Sequence, residues 1–235
     1  MQLERILQKH GFGTRKACRS LIRHELVAVN GQICDNPFAE IATDGLVFTV
    51  DGVDWPYAEF ASLMLHKPPG YECSRKPLHH PSVLSLLPVQ LRERDVQPIG
   101  RLDEDTTGLL LITDDGQLNH VLSSAKRKVP KVYLATTKHP IDQSQIDQLL
   151  TGVLLNDEPE PIAAAACELV GEHLLRLTLT GGKYHQVKRM VAAAGNRVEA
   201  LHRETIGELQ LPEDLKPGEW RWLSAVDLKK LGYLA

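Results

Sequence analysis

At 235 residues, with 43% hydrophobic and 24% charged side chains, the chain has an ordinary soluble composition and length for one large or two unequal domains. No apolar run approaches the roughly 20 residues a membrane helix needs. The first residues enter an amphipathic pattern without an apolar signal core, so the expectation is a cytoplasmic protein with no membrane partner. The net charge of −3 excludes a surface that is basic all over, but not a local basic patch.

Cys18, Cys34, Cys73 and Cys167 lie far apart and form no C-x-x-C pair, which argues against a structural zinc site. His66, Cys73, His79 and His80 fit no standard ligand spacing either, so no metal is expected and the cysteines are read as reduced thiols. Charge is unevenly placed. Residues 1–31 carry six basic and two acidic side chains, a net of +4. Acids gather instead at Asp103–Asp105, Asp114-Asp115 and Asp157–Glu160.

In chain order, Leu3, Ile6, Leu7 and His10 recur at helical spacing, with Arg5 and Lys9 on another face. Gly11-Phe12-Gly13 ends that helix. Thr14 caps a second predicted helix, whose buried stripe is Ala17, Cys18, Leu21 and Ile22. Arg15, Arg19 and Arg23 recur every four residues and project as a row. Val27–Val29, Asn30-Gly31 and Gln32–Cys34 read as a tight hairpin, because Asn-Gly suits a type I′ turn. Gly45–Val50 gives another strand and Asp51-Gly52 another turn.

An arginine row alone is usually a solvated helix face. Here it stands in a helix–turn–helix–hairpin unit carrying G-x-G-T-R-K-A, L-I-R-H-E-L-V and V-A-V-N-G-Q. Over about residues 1–55 these features resemble the S4 RNA-binding domain. The resemblance implies that the second helix and the following turn face RNA phosphates. Arg5, Lys9, Arg15, Lys16, Arg19 and Arg23 would then supply position and affinity rather than sequence reading.

The pattern stops near Trp55-Pro56 and restarts with the apolar strand Ser62–His66, giving expected domains 1–59 and 60–235. No Gly/Ser-rich linker, low-complexity tract or internal repeat is visible. Lys67-Pro68-Pro69-Gly70 forces a turn, and Pro81–Leu87 could make a short helix. Leu109–Thr113 is a short apolar run that reads as a strand buried on both faces. A helix holding Leu118, Val121 and Leu122 follows Asp115-Gly116. Next come a strand at Lys131–Thr137, a helix at Ile141–Leu150 and a hairpin of Ile162–Val170 with His173–Thr180. The remaining predicted elements are a helix at Lys183–Ala194, strands near Arg197–His202 and Trp220–Leu223, and a C-terminal helix. Hairpins outnumber β-α-β units, so the fold class is α+β with a mainly antiparallel mixed sheet.

Three acids and an arginine crowd the loop Gly100–Gly108 ahead of the buried strand. Loops on rigid scaffolds are where catalytic groups concentrate, although a polar turn is an equal reading of the loop alone. The acid run that begins at Asp103 also suggests the D-x-D-x-T of haloacid-dehalogenase-type phosphohydrolases. Those aspartates follow an apolar strand, whereas here the strand follows the acids.

G-R-L-D-x-x-T-x-G-L-L-L-I-T-D-D-G over residues 100–116 resembles the catalytic motif of pseudouridine synthases, in the branch that joins an S4 domain to the catalytic domain and acts on ribosomal RNA. Leu65–Gly70 resembles the family's K-P-x-G segment and Pro130–Tyr133 its K-x-Y segment. Gly181–Met190 and Leu201–Gly207 resemble its last motif, so the likeness spans essentially the whole chain. It implies Asp103 as the nucleophile, Tyr133 as the ring beside the target uracil and Lys188 as the basic partner of Asp103. It also implies Leu201 as an apolar wall and Arg101 as a substrate contact.

Lysine at 188, within Y-H-Q-V-K-R-M, is closer to relatives acting on small-subunit (16S) ribosomal RNA than to large-subunit (23S) cousins, which tend to carry arginine. The implied enzyme is a monomer acting on ribosomal RNA or a small-subunit assembly intermediate. It needs no cofactor, because moving uracil from a nitrogen to a carbon link is neither oxidation nor hydrolysis. A 23S substrate and a non-catalytic S4-domain RNA-binding protein remain as alternatives.

Overall fold

The computed structural model describes residues 1–233. Its contacts divide the chain into two compact units, Met1–Ala61 with Leu87–Gln97, and Ser62–Leu86 with Pro98–Ala235.

In the first unit, α1 (Leu3–Lys9) and α2 (Arg15–Arg23) pack together, and Thr14 caps α2 by accepting from the Ala17 N–H at 3.3 Å. Leu3, Ile6, Leu7, Cys18 and Ile22 are fully buried. Ala17 is exposed and Leu21 only half-buried, narrower than the predicted stripe. A short helix whose main helical contact is one other helix buries only the side chains in that seam. The strands β1 (Val27–Val29), β2 (Gln32–Ile33), β3 (Val47–Val50) and β4 (Val53–Pro56) form a sheet in the order β2-β1-β3-β4.

Asn30 and Gly31 both take positive φ, as a type I′ turn requires. The hairpin continues through β4, where sequence alone placed only fading pattern, and Trp55 is buried there. The short helix α3 (Val89–Glu93) also belongs to this unit. Gly11, at φ +80°, lies so close to the Gln90 carbonyl that a Cβ would sit 1.9 Å from its oxygen.

The second unit is built on β5 (Ser62–Lys67), β6 (Gln97–Ile99, where the chain passes between units), β7 (Thr107–Thr113) and β8 (Lys131–Thr137). It continues with β9 (Ala166–Gly171), β10 (Leu174–Leu179), β11 (Val198–Ile206), β12 (Leu209–Gln210) and β13 (Trp220–Trp222). The sheet order is β13-β5-β7-β11-β8-β10-β9, with β6 beside β7 and β12 beside β11. The registered pairings are antiparallel except β7 with β11, which is parallel.

Helices α4 (Gly116–Ser123), α5 (Gln143–Thr151), α6 (Gln186–Ala193) and α7 (Ala225–Lys230) complete the α+β fold. Leu109 and Leu111 of β7 pack with Leu118 and Leu122 of α4. Leu110 and Ile112, on the opposite face, are equally buried, which is why β7 reads as a continuous apolar run.

Buried His10 connects α1 to the rest of the first unit. Its Nδ1 donates to the Ile6 carbonyl at 2.8 Å, and its Nε2 accepts from the Ala58 N–H at 3.0 Å. Burial lowers its pKa from 6.5 to about 4, because the charged ring would be desolvated and Nε2 could no longer accept. Between those values the unfolded chain binds the extra proton, so stability is complete above pH 6.5 and falls as the pH drops toward 4. The expected loss is about 3 kcal/mol. Amide exchange of α1 and β3 across this window should show it in the wild type and a flatter profile in His10→Gln.

Candidate active site

The loop from Gly100 to Thr106 leads into β7, and its backbone is held from several directions. The Nζ of Lys67, at the end of β5, donates to the carbonyls of Glu104 at 2.9 Å, Thr106 at 2.9 Å and Pro68 at 3.1 Å. Lys67 is fully buried, and burial pushes its pKa below that of an ordinary lysine. The Gly70 N–H donates to the Glu104 carbonyl at 2.8 Å, and the Leu102 N–H to the Cys73 sulfur at 3.4 Å. Where the loop becomes strand, Gly108 takes φ +107° against β11, and a Cβ there would lie 2.3 Å from the Arg203 oxygen. A side chain would force β7 and β11 apart.

So fixed, the loop presents Asp103 to the start of α6. The His185 Nε2 lies 3.1 Å from Asp103 Oδ1, and the Lys188 Nζ lies 3.3 Å from Oδ2. His185 is the N-cap residue of α6 in the left-handed region at φ +48°. The helix expected from Lys183 therefore starts three residues later: Lys183–His185 is a turn, in which the Lys183 N–H donates to the Gln186 side chain at 3.0 Å. Tyr184, exposed, stacks on the His185 ring with centroids 3.8 Å apart. Asp103 thus faces the start of α6, an imidazole and an ammonium.

A cleft opens over this carboxylate. Arg101, Leu102, Asp103, Tyr133, His185 and Leu201 are among its lining residues. Tyr133 comes from β8 and Leu201 from β11, and both are largely buried. Lys188 and Asp105 line the adjoining wall together with Tyr184 and the loop that carries His79 and His80. Among the described residues, no three His, Cys, Asp or Glu side chains converge to hold a metal. The aspartates precede β7 rather than ending a strand, which is the wrong order for the D-x-D-x-T phosphohydrolase arrangement.

The family model for RNA pseudouridylate synthase matches residues 61–193, and that for the S4 domain matches residues 1–37. The chain belongs to the RNA pseudouridine synthase family. It is 36% identical to the ribosomal small subunit pseudouridine synthase A of Haemophilus influenzae, with 98% of this chain and 99% of the relative covered. Identity to the protein of the same name from Escherichia coli strain K12 is 37%, with 97% and 98% covered. A crystal structure of a pseudouridylate synthase superposes with a TM-score of 0.70 at 34% identity, covering 98% of this chain and 99% of the other.

In this synthase the cleft brings together Asp103, Arg101, Tyr133 and Leu201, with Lys188 on the adjoining wall. Lys188 has a second, closer partner: its Nζ lies 2.6 Å and 2.8 Å from the two oxygens of Asp105. Three residues at this site were not singled out from sequence: His185, Asp105 as an ion-pair partner, and Lys67. Their signal lay inside the matched motifs, since Tyr184-His185 and K-P-x-G were read as pattern without assigned contacts.

The six basic residues of the first unit divide by environment. Arg5, Arg15, Lys16 and Arg23 are exposed. Lys9 is paired with Glu59. Arg19 is held by Glu4, a buried carboxylate whose pKa that hydrogen bond lowers, and its guanidinium lies 5.1 Å over the Phe38 ring.

Lys67→Met should keep the side-chain volume but remove donors from three carbonyls, at an expected cost of about 2–4 kcal/mol. Because the Asp103 loop loses its anchor, single-turnover rates should fall more than RNA affinity does. Thermal melts and single-turnover assays of the variant measure both; an unchanged melt would show that the ammonium is not the anchor.

Proposed function

We propose that this synthase converts a uridine of small-subunit (16S) ribosomal RNA to pseudouridine, with Asp103 as its nucleophile. The observation that carries the chemistry is the half-buried carboxylate set between His185 and Lys188 at the floor of a cleft walled by Tyr133 and Leu201. Support for the small subunit comes from the full-length relatives that bear its name.

The reaction breaks the N1–C1′ bond of uridine and forms a C5–C1′ bond. The proton lost from C5 is balanced by one gained at N1, so no oxidant or energy source is consumed. What the site must supply is an ionised nucleophile held close to an extruded base. Lys188 and the start of α6 orient Asp103, Tyr133 faces the base and can exchange its phenolic proton, and Leu201 excludes water from the ring. Arg101, exposed at the rim, meets the backbone of the flipped nucleotide. The test is tritium release from RNA carrying 5-labelled uridine. Wild type should release tritium from 16S but not 23S transcripts, and the near-isosteric Asp103→Asn should release none while still binding RNA. Turnover by the Asn variant would remove Asp103 from the mechanism; preferential release from 23S RNA would move the substrate to the large subunit.

The first unit serves in this proposal as the RNA clamp. Arg15, Lys16 and Arg23 are exposed on α2, so each can release a counterion from a phosphate. The triple alanine variant should flatten the slope of log K against log salt by about 2 to 3 units, at 0.7–0.9 per contact. Arg19 is unsuited to this test, since replacing it strands the buried Glu4. Binding titrations at several salt concentrations decide the point, and an unaltered slope would reduce the row to a solvated face.

A further inference from the structure

We propose that Asp105, more than Asp103, is the residue that fixes the Lys188 ammonium, so that Asp103 works beside a cation that its neighbour holds more closely. The proposal rests on the reading of Asp103 as nucleophile and makes Asp105 a positioning residue. Both Asp105 oxygens contact Nζ, at 2.6 and 2.8 Å, whereas Asp103 offers one oxygen at 3.3 Å. A four-carbon stem can swing, and a two-point contact to a neighbouring carboxylate stops it. Removing that contact leaves Lys188 two outcomes: collapse onto Asp103, engaging the lone pairs needed for attack, or departure into solvent. Either one degrades a preorganised arrangement.

Charge balance agrees with the geometry. Burial of Lys188 lowers its pKa, but the Asp105 hydrogen bond and the charges of Asp103 and Asp105 outweigh this and leave it above an ordinary lysine. Burial raises the Asp105 pKa, and the Lys188 hydrogen bond and charge bring it below an ordinary carboxylate. Within the same cleft, His185 faces Asp103 from the N-cap, while Arg101, Glu104 and Lys183 contribute charge around the rim. Glu72, His79 and His80 face it from the loop beyond β5. Asp105 is 57% exposed, so the pair adds little to stability and its value is positional.

Two readouts separate this proposal from the function on which it rests. The first needs no RNA: the Lys188 ammonium is titrated by NMR of isotopically labelled lysine in wild type, Asp105→Asn and Asp103→Asn. The midpoint should fall in both variants and fall further in Asp105→Asn; the reverse order, or no fall at residue 105, overturns the proposal. The second is single-turnover pseudouridine formation at saturating enzyme. Asp105→Asn should be slowed about 10- to 100-fold, the scale of a misplaced catalytic group, without weaker RNA binding. Asp105→Glu, which restores the charge, should stay within a few-fold of wild type. An Asp105→Asn variant that turns over at the wild-type rate, or one whose only defect is binding, overturns the proposal. A wild type inactive on RNA would instead overturn the functional reading and leave the NMR result to decide the pairing.

Discussion

A buried ammonium surrounded by backbone carbonyls is the constraint on which the site depends. The three protons of Lys67 are matched to the carbonyls of Pro68, Glu104 and Thr106, so its charge is offset by dipoles and not by a carboxylate. That choice leaves Asp103 and Asp105 to face Lys188. Glu104 and Thr106 flank Asp105 and follow Asp103, so fixing two carbonyls fixes the direction of the side chains around them. The anchor is placed by the sheet. Lys67 is the last residue of β5, paired with Gly108 in the antiparallel register with β7.

The same register bears on the parallel pairing of β7 with β11. His202 and Arg203 of β11 run beside Thr107 and Gly108 of β7, which places Leu201 over the cleft and sends His202 to the other side. There its Nδ1 contacts the Thr107 hydroxyl at 2.8 Å. Gly108 makes this approach possible, since a Cβ would overlap the β11 backbone. One glycine therefore links fold and site: it permits the close strand pair, and the strand pair fixes the end of the acidic loop.

Periodicity made much of this legible. Lys131–Thr137 agrees residue for residue with β8, where buried Tyr133, Ala135 and Thr137 alternate with more exposed neighbours, and the apolar run at Leu109–Thr113 forms the core of β7. The start of α6 was not legible. Lys183 through Ala194 has helical composition throughout, and nothing in composition alone marks His185 as left-handed. It is tertiary context, with Asp103 against its ring, that accompanies the turn. Lys67 was hidden for a related reason. A lysine beside two prolines reads as an exposed turn residue, and only the three-dimensional return of residues 104–106 shows its partners. Asp105 illustrates the limit of motif reading, since a pattern locates three acids in one loop but does not say which of them a lysine 83 positions away will choose.

Charge in the first unit obeys the same division between holding structure and facing outward. Glu4 is buried and would be a liability without a cation, so Arg19 is drawn from the α2 row to neutralise it, and Lys9 is similarly committed to Glu59. Their neighbours Arg15, Lys16 and Arg23 remain at the surface. The row inferred from four-residue spacing is therefore two populations: one side chain that ties α2 to α1, and others whose charge meets solvent. Spacing defines a helix face, but a buried carboxylate on the adjacent helix decides which of its arginines is free. An acidic protein can in this way present a basic surface to RNA, because what matters to a phosphate is the cations left unpaired and not the net charge of the chain.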